Sequence, residues 1–410
     1  MKVDTGEGTG TGRVASEWSI LRALIVTMIV NQTGVVIISP LVVDIAQTFD
    51  VSVSAAAQLR TASALVSAIL APFVGIASER LGSRPLIIGG LVGVGLAGLG
   101  SALAPTFGVL VAVQAAGGLG IAALLSMGFA AVGEYFPPER RAWAIGMVTI
   151  GQPLAWVVGL PLIGFLADTF SWRASFLGVP MAFSLIGLAF ALRLPAPRST
   201  TARPFSSSAR EPGARRAQGG SLKSLIRDHS AVLWVIAELS AYTGWAGTLT
   251  FLGAFYISHY GLSAGLASPL LSLTALGFVG GSLIAHRISQ GRRMPVVVLA
   301  AAVLSATLLL VALGRPLPLP LAVVLLTAFG LSQGVRGATS SSLGLQQSPT
   351  HRGTLMALRA AVVQLGYVIG AIGGALLLPI GGYALVGVGG AVLLLVGGTM
   401  TALWVEERPG

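Results

Sequence analysis

The chain has 410 residues, of which 54% are hydrophobic and only 10% are charged, and its formal net charge is +11. Soluble domains carry roughly 25% charged residues, so this composition excludes a protein that folds in water. No cysteine is present, which excludes disulfides and thiolate metal sites.

The chain begins with a polar segment, residues 1–19, that is rich in Gly and Thr. No cleavage site follows the first apolar run, so we expect a cytoplasmic tail here and no signal peptide. Apolar runs then recur along the whole chain, and each is long enough to cross about 30 Å of hydrocarbon as a helix. The sequence therefore predicts an all-α membrane protein with twelve transmembrane spans, near residues 20–39, 55–77, 86–104, 107–131, 143–165, 175–193, 231–253, 266–285, 295–313, 319–343, 354–377 and 382–403.

The largest interruption of this pattern is residues 194–230, whose Pro, Ser, Gly and Arg content is that of a linker. It leaves six spans on either side. We therefore predict an N-terminal six-helix bundle at residues 20–193, a C-terminal six-helix bundle at residues 231–403, and a cytoplasmic tail at residues 404–410.

Most of the 25 Lys and Arg residues fall in the tails, the linker and alternate loops. The opposite loops hold Arg173 and Arg315, whereas Arg60, Arg336 and Arg359 fall within spans. Cytoplasmic segments of membrane proteins are enriched in Lys and Arg, so this bias predicts a prokaryotic-type inner membrane protein with both termini in the cytoplasm. We expect Arg60 and Arg359, which are near span ends, to extend toward the membrane surface.

The basic linker is expected to lie near anionic lipid headgroups, with "SLKSLIRD" (residues 221–228) as a short interfacial helix. A solvated tether is the alternative. Because the positive charges follow the membrane topology, nucleic acid is not an expected partner.

The two halves of the chain repeat a pattern. "FPPERRAWAIGM" (residues 136–147) resembles "QSPTHRGTLMAL" (347–358), and "SERLGSRP" (78–85) resembles "AHRISQGRRMP" (285–295). The offsets of the two pairs are nearly equal, which indicates a duplicated six-helix unit. Many secondary transporters are built from such repeats and bind substrate near the membrane midplane between them.

The segment "GIASERLGSRP", residues 75–85, connects spans 2 and 3. It resembles the signature G-x-L-A-D-R-x-G-R-[KR] of the major facilitator superfamily at Gly75, Arg80, Gly82 and Arg84, with Glu79 in place of the usual aspartate. Glycines permit a tight turn and a close approach of helices, and the resemblance implies that this loop latches one conformation of a transporter. The resemblance covers essentially all twelve spans and implies two bundles related by a pseudo-two-fold axis.

Span 5 begins with "GQPLAWVVGLPLIGF". It resembles the helix-5 signature of the twelve-span drug and sugar-efflux antiporters through Gly151, Pro153, Gly159 and Pro161. Prolines within a span free backbone carbonyls and kink the helix, which suits a gating element. The resemblance implies proton-coupled efflux. In span 4, however, Gln114 stands where these antiporters usually carry arginine, so a facilitator without coupling stays open.

In this superfamily helices 1, 4, 7 and 10 line a central cavity, and polar residues occur within all four of these spans here. The resemblance implies that substrate is bound by Asn31, Gln32, Gln114, Ser126, Tyr242, Trp245, Gln333 and Arg336. The aromatic side chains could pack against a flat organic ligand or a cation, or could serve helix packing alone.

Span 7 carries a carboxylate, Glu238, in the apolar run "WVIAELSAYTGWAG". Glu238, Tyr242 and Trp245 are spaced i, i+4 and i+7 and share one helix face, while Gln333 and Arg336 of span 10 are three residues apart. A rise of about 1.5 Å per residue places Glu238 and Arg336 at similar depths. An unpaired ion there costs at least about 2.5–3.5 kcal/mol. We therefore expect Glu238 and Arg336 to face each other across the cavity.

Three roles are open for this pair. Glu238 could take up the coupling proton, Arg336 could bind an anionic substrate, or the pair could only fix helix packing. A single embedded acid with one or two bases favours amphiphilic or weakly charged organic substrates. Glu134, at the inner end of span 4, is instead expected to contact the loop beside Arg140 and Arg141.

The sequence thus predicts a secondary active transporter that moves small organic molecules by alternating access, through proton-coupled antiport of drugs or metabolites out of the cell. The alternative is an uncoupled or uptake-type facilitator of a sugar, organic acid or other metabolite, and a more remote one is a membrane sensor that does not transport. No nucleophile, base and oxyanion site occur together, so an enzyme is not predicted. We expect no cofactor and no metal site, protons and membrane lipids as partners, and a monomer.

Overall fold

The structure is a computed structural model, and it describes residues 10–195, 228–347 and 352–407. Every regular element in these ranges is a helix. The helices of the first half are α1 (Gly10–Val36), α2 (Ile38–Phe49), α3 (Val53–Leu81), α4 (Ser83–Leu103), α5 (Phe107–Tyr135), α6 (Pro138–Thr149), α7 (Gly151–Leu154), α8 (Leu160–Thr169), α9 (Trp172–Phe176) and α10 (Ala182–Ala191), with π-helical turns at Ala155–Gly159 and Leu177–Met181. Those of the second half are α11 (His229–Tyr260), α12 (Ala264–Ser289), α13 (Met294–Gly314), α14 (Leu319–Gln347) and α15 (Arg352–Trp404). The predicted interfacial helix and most of the predicted linker lie outside the described residues.

Ten helical segments in the described part of the chain are long and apolar enough to cross a membrane. The last of them, in α15, is interrupted at Gly381 and Gly382, whose backbone angles are not helical, so it contains two spans. The helix α11, which is 32 residues long, is not one of the ten, but it contains the predicted span at residues 231–253. These segments are the twelve predicted spans, and the predicted all-α fold is confirmed.

Hydrogen-bonding side chains mark the starts of several helices. Ser52, Thr106 and Ser263 each accept a hydrogen bond from the backbone N–H three residues further on. Each satisfies a donor that the first helical turn leaves free. Between α11 and α12, Gly261 has a φ of +65°, a left-handed conformation that glycine adopts without a steric penalty. Caps and turns therefore set where one span ends and the next begins.

Successive spans run in opposite directions, so their connections collect at two ends of the molecule. The end that holds the last residues of α15 is called the tail end here; there Gln347 Nε2 donates to the Glu406 carbonyl oxygen over 2.8 Å. The opposite end is called the far end; there Trp172 Nε1 donates to the Thr48 hydroxyl over 2.9 Å.

Within the described ranges, the two halves of the chain share a hydrophobic core toward the far end. One buried cluster there combines side chains of both halves, among them Leu41 and Phe255. Toward the tail end the halves have separate clusters, one around Leu24 and another around Trp234. The halves are therefore closed against each other at the far end and parted at the tail end.

The first helix pair in this closure is α2 against α11. The Ser39 hydroxyl donates to the Leu249 carbonyl oxygen over 2.8 Å. One turn further along α11, Gly253 lets the two backbones meet, since a Cβ atom there would lie 2.6 Å from the Ser39 carbonyl carbon and 3.1 Å from Pro40 Cα. Real Cβ atoms do not come so close to backbone, so only glycine fits this crossing.

The second pair is α8 against α12. The carboxylate of Asp168, at the end of α8, accepts hydrogen bonds from the Ser263 hydroxyl and from the Gly265 N–H, the latter over 2.9 Å. One carboxylate of the first half thus binds the first turn of a helix of the second half.

Asp168→Ala is expected to make the far end open more readily, because it removes the acceptor that joins α8 to α12. The hydrogen bonds are exposed, so we expect a loss of about 1 kcal/mol, or a shift of roughly fivefold in the conformational equilibrium. The measurement is the rate at which an impermeant maleimide labels a cysteine introduced at Thr250, a buried residue next to the Leu249 that binds Ser39. Asp50→Ala, which removes an acid at the same end, is the control. Equal labelling rates in the two variants would contradict the prediction.

Candidate functional site

A cavity of about 520 Å³ lies between the two halves. The first half contributes residues of α1, α5, α6 and the α7 region: Asn31, Gln32, Val35, Ile121, Leu125, Phe129, Thr149, Gln152, Pro153 and Trp156. The second half contributes residues of α11, α12 and α15: Tyr242, Trp245, Leu249, Ala275, Phe278, Val279, Ser282, Leu283, Arg359, Val363, Gln364 and Tyr367. Toward the tail end Thr149 and Leu283 are exposed, so the cavity is accessible from that end.

Four of the predicted substrate-binding residues line this cavity: Asn31, Gln32, Tyr242 and Trp245. Asn31 also donates its amide to the Ile121 carbonyl oxygen over 2.9 Å, which ties α1 to α5. The other four predicted residues, Gln114, Ser126, Gln333 and Arg336, are not among the lining residues.

The prediction that Gln114 and Ser126 of span 4 line the cavity is wrong, because α5 turns a different face toward the cavity. Gln114 is buried, and its Nε2 donates to the Ser101 hydroxyl of α4 over 2.9 Å. The cavity face of α5 is apolar and consists of Ile121, Leu125 and Phe129 at intervals of four. Ser126 is next to Leu125, and neighbouring residues of a helix point in different directions.

The predicted pair of Glu238 and Arg336 exists. Arg336 Nη1 donates to Glu238 Oε1 over 2.9 Å, and the Ser340 hydroxyl donates to the same oxygen over 2.9 Å. Arg336 Nε donates in turn to Gln333 Oε1 over 2.9 Å, as their spacing of three predicts. These residues bring α11 and α14 together inside the second half.

A second arginine completes this cluster, and the sequence interpretation missed it. Arg359 Nε donates to Glu238 Oε2 over 2.8 Å, and its Nη2 donates to the Tyr242 hydroxyl over 2.8 Å. The guanidinium groups of Arg336 and Arg359 lie 5.2 and 5.3 Å from the centre of the Tyr242 ring. The prediction that Arg359 extends to the membrane surface is wrong, because a buried carboxylate on α11 holds its side chain inside the bundle.

The cluster lies behind the cavity wall and reaches the cavity through two side chains. Glu238 and Arg336 have side chains only 2% and 3% exposed, whereas Arg359 is 20% exposed. The prediction that Glu238 and Arg336 face each other across the cavity is therefore wrong: both belong to the second half, on one side of it. Tyr242 and Arg359 present the cluster to the cavity.

A third arginine lies at the far end of the cavity. Arg60 is 3% exposed, and its guanidinium lies 4.7 Å from the centre of the Tyr367 ring. It lines a small space of about 30 Å³, called the roof void here, that shares Val35, Trp156, Leu249 and Tyr367 with the cavity lining. The prediction that Arg60 extends to the membrane surface is also wrong, since α15 covers it.

The α3–α4 loop has the predicted turn. Gly82 has a φ of +76°, and Arg84 Nη2 donates to the Leu192 carbonyl oxygen over 2.8 Å. Arg80 is exposed. A Cβ at Gly75 would meet nothing within 4 Å, so the close helix approach expected there is wrong. The side chain of Glu79 lies outside the description.

Glu134 contacts a loop, but not the predicted one: its partner lies in the α3–α4 loop and not in the loop beside Arg140 and Arg141. Its carboxylate accepts from the Ser83 hydroxyl over 2.6 Å and from the Ser83 N–H over 3.2 Å. Arg140, one of the expected partners, pairs with Glu17. The carboxylate therefore binds the start of α4 and not the neighbouring arginines.

The helix-5 motif forms an irregular helix. A π-helical turn at Ala155–Gly159 separates Pro153, which lines the cavity, from Pro161 in the first turn of α8. At Gly151 a Cβ would lie 2.5 Å from the Ile25 carbonyl oxygen, and at Gly159 it would lie 3.2 Å from Thr33 Cγ2. The motif thus places a distorted, closely packed helix on the cavity wall.

Over residues 10–195, 228–347 and 352–407, no three His, Cys, Asp or Glu residues are grouped closely enough to hold a metal ion.

The all-helical fold and the cavity between its halves are those expected of a membrane transporter. A sequence model of the Major Facilitator Superfamily matches residues 24–348, and the chain belongs to this family. The uncharacterized MFS-type transporter YceJ of Bacillus subtilis is 26% identical over 347 residues, which cover 84% of this chain and 85% of that protein.

Solved structures share the fold. A crystal structure of a D-xylose-proton symporter superposes with a TM-score of 0.74 at 17% identity and covers 95% of this chain and 98% of its own. A bacterial homolog of the human lysosomal transporter Spinster, in an inward-facing and occupied conformation, gives a TM-score of 0.76 at 16% identity and covers 96% and 97%.

Proposed function

We propose that this protein moves small organic molecules across the membrane by alternating access, with transport coupled to protons through Glu238. The observation that carries this proposal is the cavity between the halves, together with the cluster of Glu238, Arg336 and Arg359 in its wall. A cavity of this volume accommodates a drug-sized or metabolite-sized molecule.

The contacts between the halves support alternating access. In the described residues, the contacts of Ser39 with Leu249 and of Asp168 with Gly265 close the far end. Rocking of one bundle against the other would break these contacts and close the tail end. With the tail end in the cytoplasm of a prokaryotic-type cell, as the charge distribution predicts, this arrangement supports an inward-open state.

The charge cluster supports a coupling role. Glu238, Arg336 and Arg359 all belong to the second half, so rocking of the halves leaves their bonds in place. A change at the cluster must therefore come from something that enters the cavity, either a proton or the substrate. Glu238 is linked to the cavity through Arg359, which binds it and lines the cavity together with Tyr242.

The helix-5 resemblance favours antiport and export, and the irregular helix at Ala155–Gly159 is consistent with a gating element. An uncoupled facilitator or an uptake transporter is the alternative. Transport into proteoliposomes separates these modes, because only coupled transport follows an imposed pH gradient. The direction in which the substrate moves relative to the proton gradient then distinguishes exchange from co-transport.

Glu238→Gln is expected to abolish transport driven by a pH gradient while leaving exchange of labelled for unlabelled substrate. Glutamine keeps the shape and an acceptor for Arg336 but cannot bind and release a proton. Both rates would be measured in proteoliposomes, with a labelled compound chosen by thermal-shift screening of the purified protein at two pH values.

The matched control is Glu17→Gln, the same chemical change in an ion pair at the tail end. It should keep gradient-driven transport. Full gradient-driven transport by Glu238→Gln would exclude Glu238 as the coupling group, and transport by neither form of the protein would contradict the proposed function.

A further inference from the structure

The groups around the cavity carry more positive than negative charge. Two guanidinium groups, Arg336 and Arg359, share the single carboxylate of Glu238, which leaves one positive charge in excess. Arg60 adds another at the roof void. No aspartate or glutamate is among the described residues that line the cavity.

Arg359 is the exposed member of this set. Its Nε and Nη2 donate to Glu238 and Tyr242, and Nη1 has no hydrogen-bond partner among the described residues. Its side chain is 20% exposed and lines the cavity. A guanidinium group with a free edge in a partly desolvated wall is a strong donor to a carboxylate.

Arg60 provides an independent observation. It is buried, and among the described residues its Nη2 has no hydrogen-bond partner. Its Nη1 makes one long contact of 3.5 Å with the Ser63 hydroxyl, and the Tyr367 ring covers its face. A buried cation without a counter-charge is unfavourable. Arg60 therefore has no anionic partner among the described residues, and Arg359 shares its one carboxylate with Arg336.

The rest of the cavity suits an apolar body. Its aromatic lining residues are Phe129, Trp156, Tyr242, Trp245, Phe278 and Tyr367. The Trp245 and Phe278 rings stack at 5.4 Å, which gives the second half a flat apolar wall beside Tyr242. Aromatic side chains of this kind bind flat rings through offset or edge contacts.

We propose that the transported molecule is a small organic anion with a flat apolar body, whose carboxylate is held by Arg359. Arg60 is a second guanidinium group that the anion meets on its way through the far end. Arg60 belongs to the first half and the Tyr367 ring that covers it belongs to the second, so opening of the far end uncovers Arg60. This inference rests on the proposed function, because it names the substrate class of the same cavity.

The test compares compounds that share a ring and differ in charge. Benzoate, benzamide and benzylamine, with the corresponding naphthalene compounds, would be titrated into the purified full-length protein by isothermal calorimetry. The acid of each set is expected to bind at least about tenfold more tightly than its amide, because a hydrogen bond to a charged group is the strong kind. The amine should bind more weakly than the amide.

Variants test whether the preference for acids over amides comes from Arg359. Arg359→Gln should reduce the acid-to-amide ratio to near one, and Arg359→Lys should keep part of it, since lysine keeps the charge without the planar fork. Arg140→Gln removes one positive charge from an exposed site at the tail end and should keep the full ratio. If Arg359→Gln does not fold, the ranking of the affinities of acid, amide and amine for the unaltered protein still tests whether the cavity prefers an anion.

The inference is overturned if no acid of the panel binds, if the amides or amines bind as tightly as the acids, or if Arg359→Gln keeps the acid preference. These results are separate from the proposed function, because binding is measured without a gradient. Gradient-driven transport of an amine would retain the function and remove the anion, whereas tight acid binding without transport would do the reverse.

Discussion

Gly253→Val is expected to abolish transport while both helix bundles stay folded. Valine would place its Cβ 2.6 Å from the Ser39 carbonyl carbon, in a crossing where two backbones touch. The contact is between halves and not within one, so the strain is relieved by keeping α2 apart from α11. A protein that cannot close its far end cannot complete the transport cycle.

The absence of cysteine from the chain makes this prediction easy to measure. A cysteine introduced at Thr250, which lines the roof void, would be the single thiol of the protein. Its labelling by an impermeant maleimide should be slow in otherwise unaltered protein and at least about tenfold faster with Gly253→Val.

The control is Gly280→Val in α12, where a Cβ would meet nothing within 4 Å. This variant should transport normally and label slowly. Normal transport and slow labelling with Gly253→Val would show that the closure at Ser39 is not part of the cycle.

Glu238→Ala is expected to destabilise the second half by about 3–5 kcal/mol, because it leaves Arg336 and Arg359 buried without a counter-charge. The free energy of unfolding would be measured in mixed micelles by titration with a denaturing detergent. The matched comparison is Glu17→Ala, which breaks the exposed pair with Arg140 and should cost less than about 1 kcal/mol.

Double substitutions separate the pair from the rest of the cluster. Glu238→Ala combined with Arg336→Ala should cost less than the sum of the single changes, since the second removes a charge that the first left unpaired. Exchanging the two residues, as Glu238→Arg with Arg336→Glu, should restore little stability, because the new arginine would lie against Arg359. Additive costs of the two alanine substitutions would contradict a stabilising pair.

The spans and the Glu238–Arg336 pair could be predicted because each depends on one strong constraint. Hydrocarbon thickness sets the length of a span, and the high cost of an unpaired ion in the membrane requires a partner at a similar depth. Both constraints can be applied to the sequence before the packing of the helices is known.

The rotation of a span about its axis depends on packing, which is why Gln114 was misplaced. Gly117, one turn further on, faces α4, since a Cβ there would lie 2.8 Å from Ala97 Cβ. Small residues mark the closely packed face of a membrane helix. The spacing of Gln114 and Gly117 therefore contained the signal that Gln114 points at α4 and not at the cavity.

Arg359 was missed for a different reason. The family resemblance directed attention to spans 1, 4, 7 and 10, whereas Arg359 belongs to span 11. Its cavity neighbours Val363, Gln364 and Tyr367 follow at four, five and eight residues, which is the spacing of one helix face. Polar and aromatic residues at that spacing therefore indicate a cavity-lining face in span 11 as well as in spans 1, 4, 7 and 10.

Because Glu238 and both of its arginines belong to one bundle, each half has a distinct task. In the proposed cycle, the C-terminal half moves the Glu238 cluster as one unit, and the N-terminal half, which holds Arg60, decides which aqueous compartment the cluster meets. Substitutions at Arg336, Arg359 or Tyr242 could then retune the charge of what is carried without altering the far-end contacts through which the passage opens.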